Sequence, residues 1–199
     1  MDYFSKSRVE AFSDGVFAII VTLLVLEIKV PHLEQAESVR ELAEALGSLF
    51  PKIISWVISF LIVCVIWVNH HRILDQIERV THSFFWLNAL LLLWCSFIPF
   101  PTALMGDYLS NPLAAFTFGC VLAMMALTFS FIRWYALRNR YVLKPEIDLS
   151  QFRQATIRSV VFGPVFYLIG GILAFVHPWV SMSIYAFIPL YFILYNSTR

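Results

Sequence analysis

Arg8-Val9-Glu10-Ala11-Phe12-Ser13-Asp14-Gly15 runs without a break into Val16-Phe17-Ala18-Ile19-Ile20-Val21-Thr22-Leu23-Leu24-Val25-Leu26. A charged, hydrogen-bonding head opens an apolar helix, and it places an arginine, a serine and an aspartate within seven residues. Ionisable side chains at membrane depth are expensive, so such a head needs a use for its polar groups. The stretch predicts a first helix that lines an ion pathway and a head that ties it to its neighbours.

Outward from this stretch the chain stays apolar. Of 199 residues, 60% are hydrophobic and 14% are charged, whereas a soluble domain carries roughly a quarter charged residues. The apolar runs are long enough to cross a hydrocarbon core at about 1.5 Å per residue. The alternation of a membrane barrel strand is absent, so the spans are read as helices. The fold class is therefore an all-α integral membrane protein, one membrane domain over residues 1–199, multi-pass in the cell membrane. No internal repeat, low-complexity segment or soluble domain interrupts it.

Six spans are predicted, over residues 11–30, 49–69, 84–100, 112–135, 156–176 and 178–195. Pro31 stops the first, Pro51 occupies a tolerated start position in the second, and Pro99 and Pro101 end the third. Pro189 is expected to kink the sixth. Gly163, Gly170 and Gly171 in the fifth mark close helix contact or a bend. Lys6 and Arg8 before an apolar run also suit a signal peptide. Asp14 interrupts the approach and no small-residue cleavage site follows, so the first span is expected to be retained.

Basic residues give the orientation. With the N-terminus in the cytoplasm, Lys6, Arg8, Arg72, Arg79, Arg133, Arg138, Arg140, Lys144, Arg153, Arg158 and Arg199 fall on the inner side, and Lys29, Arg40 and Lys52 on the outer side. Eleven against three is a positive-inside pattern, which puts both termini in the cytoplasm. The basic fourth-fifth loop is expected to set topology and to contact anionic lipid heads. On the outer side, Glu37, Glu41 and Glu44 recur at helical spacing and predict a short amphipathic helix, with Glu34 beside it. It is either a solvated surface helix or an acidic vestibule that concentrates cations.

At about 100° per residue, Thr22, Leu23 and Leu26 fall within about 60° of Ile19 and form an apolar stripe with one hydroxyl. Asp14 falls about 220° away, toward neighbouring helices. If the helix reaches back to Arg8, then Arg8 and Phe12 lie within about 20° of Ile19. The stripe is either a pore wall or the ordinary apolar face of a membrane helix. Asp14 is either a helix-start residue favoured by the dipole or part of a buried network. Ser13 is open in the same way between cap and network.

The second span ends in Trp67-Val68-Asn69-His70-His71-Arg72, at the depth of the first helix's head. Asn69 and His70 are candidates to donate hydrogen bonds to Asp14 or Ser13. Adjacent histidines on a helix point about 100° apart, so no metal site is read into them. Cys64, Cys95 and Cys120 all sit in apolar runs as small hydrophobes, which predicts neither disulfide nor metal nor other cofactor. A carbonyl filter of the Thr-Val-Gly-Tyr-Gly kind is absent, as are a nucleophile elbow, a zinc-protease helix, a phosphate loop and a dinucleotide fingerprint. No enzyme and no nucleic-acid partner are expected.

Arg8-x-x-x-Phe12-Ser13-Asp14 followed by Gly15-Val16-Phe17-Ala18-Ile19 resembles the signature of the endolysosomal potassium channel family, in its prokaryotic branch (transmembrane protein 175 type). Leu24-Val25-Leu26-Glu27-Ile28 and Trp67-x-Asn69-His70 are similar to that family as well. The resemblance implies a homotetramer of six-helix subunits whose first helices line a central pore. It implies potassium passage in preference to sodium without a carbonyl filter. By the register of the motif, Ile19 matches the narrowest hydrophobic position, Thr22 a hydroxyl layer tied to selectivity, and Leu23 and Leu26 further rings. Arg8, Phe12, Ser13 and Asp14 match a network that braces helix one, with Trp67, Asn69 and His70 as its partners. Potassium ions as permeant species and membrane lipids are then the partners. The alternative function is a proton- or ion-coupled carrier with Asp14 and His70 as a relay, and a third is a membrane scaffold without transport.

Overall fold

The computed structural model describes residues 5–196. Arg199, one of the inner-side cations, lies outside the described residues. Helix α1 covers Lys6–Leu23 and tightens into a 3-10 turn, Leu24–Glu27. It begins more than a turn before Ala11, so the charged head is helical. It also stops earlier than the proline alone required: Ile28 is extended, with φ −91° and ψ 93°. Pro31 restricts only the residue before it, and the chain leaves the helix ahead of that point.

The outer connection holds α2, Val39–Ser48, close to the amphipathic helix read from the glutamates. Ser38 caps it, accepting from the Glu41 amide at 3.3 Å. The Glu41 carboxylate reaches back to accept from the amides of Glu34 and Gln35 at 2.7 and 2.9 Å. Glu44 pairs with Arg40 at 2.9 Å. Two of the four glutamates therefore fix the segment's own shape.

Helix α3, Phe50–Gln76, extends about two turns past Asn69, helped by an i,i+4 contact of His71 with Asp75 at 3.4 Å. The third span differs more. Helix α4, His82–Phe97, passes through Ile98 in α-helical backbone into α5, Pro99–Asp107. Pro99 and Pro101 do not end the span. They stand in the first turn of α5, where a missing N–H costs nothing, and the apolar segment runs on to Asp107.

Helix α6, Pro112–Arg138, is followed by α7, Leu149–Val160. Asp148 caps α7 by accepting from the Ser150 and Gln151 amides at 2.8 and 3.3 Å, which starts the helix well before residue 156. A π turn, Val161–Val165, joins α7 to α8, Phe166–Leu173. Pro164 lies inside this turn. Proline has no N–H to give and its ring crowds the preceding turn, and the wider turn relieves both conflicts. Helix α9, Pro178–Asn196, carries Pro189 in its interior.

Among the described residues, five segments are long and apolar enough to cross a bilayer: Lys6–Glu27, Phe50–Gln76, His82–Asp107, Pro112–Arg138 and Leu149–Leu173. Pro178–Leu194 is apolar but shorter. Helix α6 is the centre, packed on α4, α5, α7, α8 and α9. Its small residues admit these neighbours: at Gly119 a Cβ would collide with the Tyr185 hydroxyl and the Tyr167 carbonyl. The Tyr185 hydroxyl donates to the Ala115 carbonyl at 2.9 Å. Cys95 is buried and Cys64 and Cys120 are half-buried, all as free thiols.

The connections sort to two ends. Residues 77–81 and 139–148 pair with each other, with the Glu78 amide on the Val142 carbonyl at 2.8 Å and the Lys144 amide on the Gln76 carbonyl at 3.0 Å. At the other end Lys52 pairs with Asp107.

Candidate ion pathway and the polar cluster behind it

Helix α1 has two faces with different fates. Val9, Ser13, Phe17 and Ile20, with Leu24 of the 3-10 turn, are buried and recur at three- and four-residue steps, as one helix face must. This face packs on α3 and α4. Ser13 is the polar member. Its hydroxyl donates to the Val9 carbonyl at 2.8 Å and accepts from the Asn88 amide nitrogen at 2.9 Å. Because the Ser13 proton is spent on its own helix, its oxygen needs a donor, which orients the Asn88 carboxamide. The Asn88 oxygen then faces His70 Nε2 at 2.6 Å, so His70 carries its proton on Nε2. Phe17 packs against the His70 ring, centroids 5.3 Å apart.

Asp14, the next residue, points about 100° away and accepts from Trp67 Nε1 at 2.9 Å. Two adjacent residues thus attach the head of α1 to two helices: Asp14 to α3 through Trp67, and Ser13 to α4 through Asn88. Trp67 in turn stacks on His71, with 22° between the rings.

Other members of the expected cluster are placed elsewhere. Asn69 donates to the Val65 carbonyl of its own helix at 2.9 Å and does not reach Asp14 or Ser13. It follows Val68 on a face turned from α1. Arg8 and Phe12 lie on the exposed face of α1, in line with Ile19, and Arg8 makes no ion pair among the described residues. Asn88 was missed by the sequence reading. It is the one carboxamide inside the apolar run of α4, and a lone amide at that depth calls for partners.

The opposite face of α1 is apolar and stays exposed among the described residues. Ile19 is 58% exposed, Leu23 44% and Leu26 66%. Ala11, Gly15 and Ala18 share the exposed side, so another helix could approach closely. Thr22 donates its hydroxyl proton to its own helix, to the carbonyls of Ala18 and Ile19 at 3.1 and 2.9 Å. Its oxygen lone pairs are left facing outward. The 3-10 turn changes the stripe. Three residues span about 360° there rather than about 300°, which carries Leu26 toward the line of Leu23. Among the described residues no three His, Cys, Asp or Glu side chains converge as a metal site.

The fold is an all-helical membrane bundle whose first helix is anchored on one face and apolar on the other. Comparison with known proteins gives the class its family. The profile of the endosomal/lysosomal potassium channel TMEM175 family matches residues 8–99. A potassium channel of Chamaesiphon minutus is 40% identical over 190 residues, which cover 94% of this chain and 93% of that protein. A potassium channel of Streptomyces collinus is 36% identical over 191 residues, covering 94% of this chain and 91% of that one. The crystal structure of a lysosomal potassium-selective channel TMEM175 homolog from Chamaesiphon minutus superposes with a TM-score of 0.84 at 38% identity, over 95% of this chain and 96% of that one. The chain belongs to the TMEM175 family.

Proposed function

We propose that this chain is the subunit of a homotetrameric, potassium-selective cation channel in the cell membrane, with α1 from each copy lining a central pore. The family is one of ion channels rather than enzymes, and the named relatives are potassium channels. The observation that carries the reading is the bare stripe of Ile19, Thr22, Leu23 and Leu26 on a helix whose other face is locked down. In the proposed pore Ile19 forms a hydrophobic constriction that gates by dewetting or by size, without a carbonyl filter. Thr22 presents oxygen lone pairs to a passing cation, and Leu23 and Leu26 form one continuous ridge above it. Potassium sheds water more readily than sodium, so a narrow apolar ring favours it. Ser13, Asp14, Trp67 and His70, joined by Asn88, brace the helix; Arg8 and Phe12 are free to brace it against neighbouring copies.

In this reading the chain crosses the membrane six times, α9 completing the count, and both termini face the cytoplasm. The pairing of connections 77–81 and 139–148 at one end supports that alternation, and Arg79, Arg140 and Lys144 stand in these two connections. A carrier with an Asp14–His70 relay draws no support from the geometry, since Asp14 bonds Trp67 and His70 bonds Asn88.

The test is current across a bilayer holding the purified chain, with potassium on one side and sodium on the other. The expected result is a reversal potential displaced toward potassium, with discrete openings. Ile19→Asn is expected to wet the constriction, raise current and weaken discrimination. Unchanged conductance and selectivity in that variant would remove Ile19 from the pore. Silence from both proteins would leave a scaffold rather than a channel.

A further inference from the structure

A second feature lies away from α1. Between α3, α6, α7, the π turn and α9 is a cavity of about 850 Å³, within the range of roughly 300–1,000 Å³ typical of small-molecule sites. It sits toward the end of the bundle that carries connections 77–81 and 139–148. Its lining is polar at that end and apolar further in, where Ile62, Phe129 and Ile188 contribute. The π turn supplies part of the wall through Phe162 and Gly163.

Arg133 is the unusual member. It belongs to α6 and is 9% exposed. Its Nε donates to the Thr156 hydroxyl and its Nη2 to the Phe152 carbonyl, both at 3.2 Å. Its guanidinium carbon lies 4.4 Å from the centre of the Phe152 ring. These contacts hold the group in place, yet none brings a negative charge. No carboxylate pairs with it among the described residues. A buried cation in a membrane helix without a counter-charge is costly.

The cavity is lined by three guanidiniums, Arg72, Arg133 and Arg158, and by two carboxylates, Glu146 and Asp148. Asp148 is already engaged in capping α7, and Glu146 is exposed at the rim. The Arg133 charge has no carboxylate beside it among the described residues, and it is set beside an apolar channel. An anionic head joined to a hydrocarbon chain matches both halves.

We propose that this cavity binds an anionic phospholipid, one whose head group carries no cation to offset its phosphate, with that phosphate on Arg133 and Arg72 and one acyl chain along Ile62, Phe129 and Ile188. The lipid would enter from the inner leaflet and hold α7 and the π turn against α3. This site does not depend on what the pore conducts, so it stands or falls separately from the channel reading.

Native mass spectrometry of the purified full chain in detergent tests it, with equimolar phosphatidylglycerol and phosphatidylcholine of the same acyl chains. Retention of phosphatidylglycerol is expected to exceed that of phosphatidylcholine by about tenfold, the worth of one charge-assisted pair. Arg133→Gln is expected to abolish that preference, and Arg133→Lys to keep part of it. Ala155→Trp, which fills the cavity from α7 and leaves Arg133 in place, is expected to abolish lipid retention. It carries the test if Arg133→Gln does not fold, as judged by thermal unfolding in detergent. Inorganic phosphate and glycerol phosphate separate the two sources of the anion. Failure of both to displace the lipid supports a lipid site, and displacement by either would replace it with a soluble-anion site. Equal retention of the two lipids by the unmodified chain would overturn the proposal. So would lipid retention unchanged in Ala155→Trp, including the case where only the oligomeric mass shifts and the cavity proves to be a joint between copies.

Discussion

Helices α1 and α6 are both apolar enough to span a membrane, yet 28% of the apolar window of the first is buried and 67% of that of the second. The contrast is carried by small residues. On α6, Gly119 lies where Tyr185 and the backbone of Tyr167 and Gly171 come close. On α1, Gly15 has nothing within 4 Å of the place a Cβ would occupy. Both helices offer a surface for close approach, but only α6 has it filled by its own chain. Hydropathy decides that a helix lives in the membrane, and close contacts at its small residues show where its own chain approaches it.

The largest effect should follow from filling the α6 contact. Gly119→Ala sets a methyl against a hydroxyl, a carbonyl and a backbone carbon that cannot all retreat, and a loss of about 3 kcal/mol is expected. Thermal unfolding in detergent measures it, and a neutral result would show that α6 and α8 are less tightly joined than described. Next is Asn88→Ala, which strands the Ser13 oxygen and His70 Nε2 in a buried site; about 2 kcal/mol should be lost. Gly15→Ala should leave subunit unfolding within about 0.5 kcal/mol of the parent. The same change is expected to weaken the proposed tetramer, read by light scattering, if copies meet along α1. An unaltered assembly would sharpen the comparison by making Gly15 a pore-side residue rather than a contact.

The smallest effect concerns Asp148. Hydrogen bonds from Ser150 and Gln151 hold its carboxyl below the usual aspartate range. A depressed folded-state value means that its contribution is fully present above the ordinary aspartate pKa and is lost as the pH falls through the lower, folded value. Lower protection of the Ser150 and Gln151 amides, measured against their intrinsic exchange rate at each pH, is expected at acid pH. Asp148→Ala should show that lower protection already at neutral pH, with no further acid dependence from this site.

The sequence was informative where chemistry and depth agree. Ser13 and Asp14 stand out because polar groups in an apolar run need partners. What it could not show was which polar residue answers which. Asn69 lies beside His70 and looked equally placed, but 100° of rotation turns it to its own helix. Asn88 is remote in sequence, and only folding brings α4 to α1. Arg133 was counted with the inner-side cations because charges bound an apolar run; the predicted span, 112–135, already holds it, and α6 continues past it for more than a turn. Pro99 and Pro101 were read as an end because the pattern does not distinguish a stop from a new first turn.

The π turn at Val161–Val165 has a consequence for how the fifth membrane segment keeps its count. A π turn takes up one residue more than an α turn would. Without it, α8 would be rotated by about 100° against α7. Thr156 could then still meet Arg133, but Gly170 and Gly171 would swing away from Tyr185 and Phe116. The segment is in effect two helices spliced out of phase, with the extra residue acting as the spacer. One half is set by a buried cation and the other by a close glycine contact, and the splice lets a single crossing satisfy both.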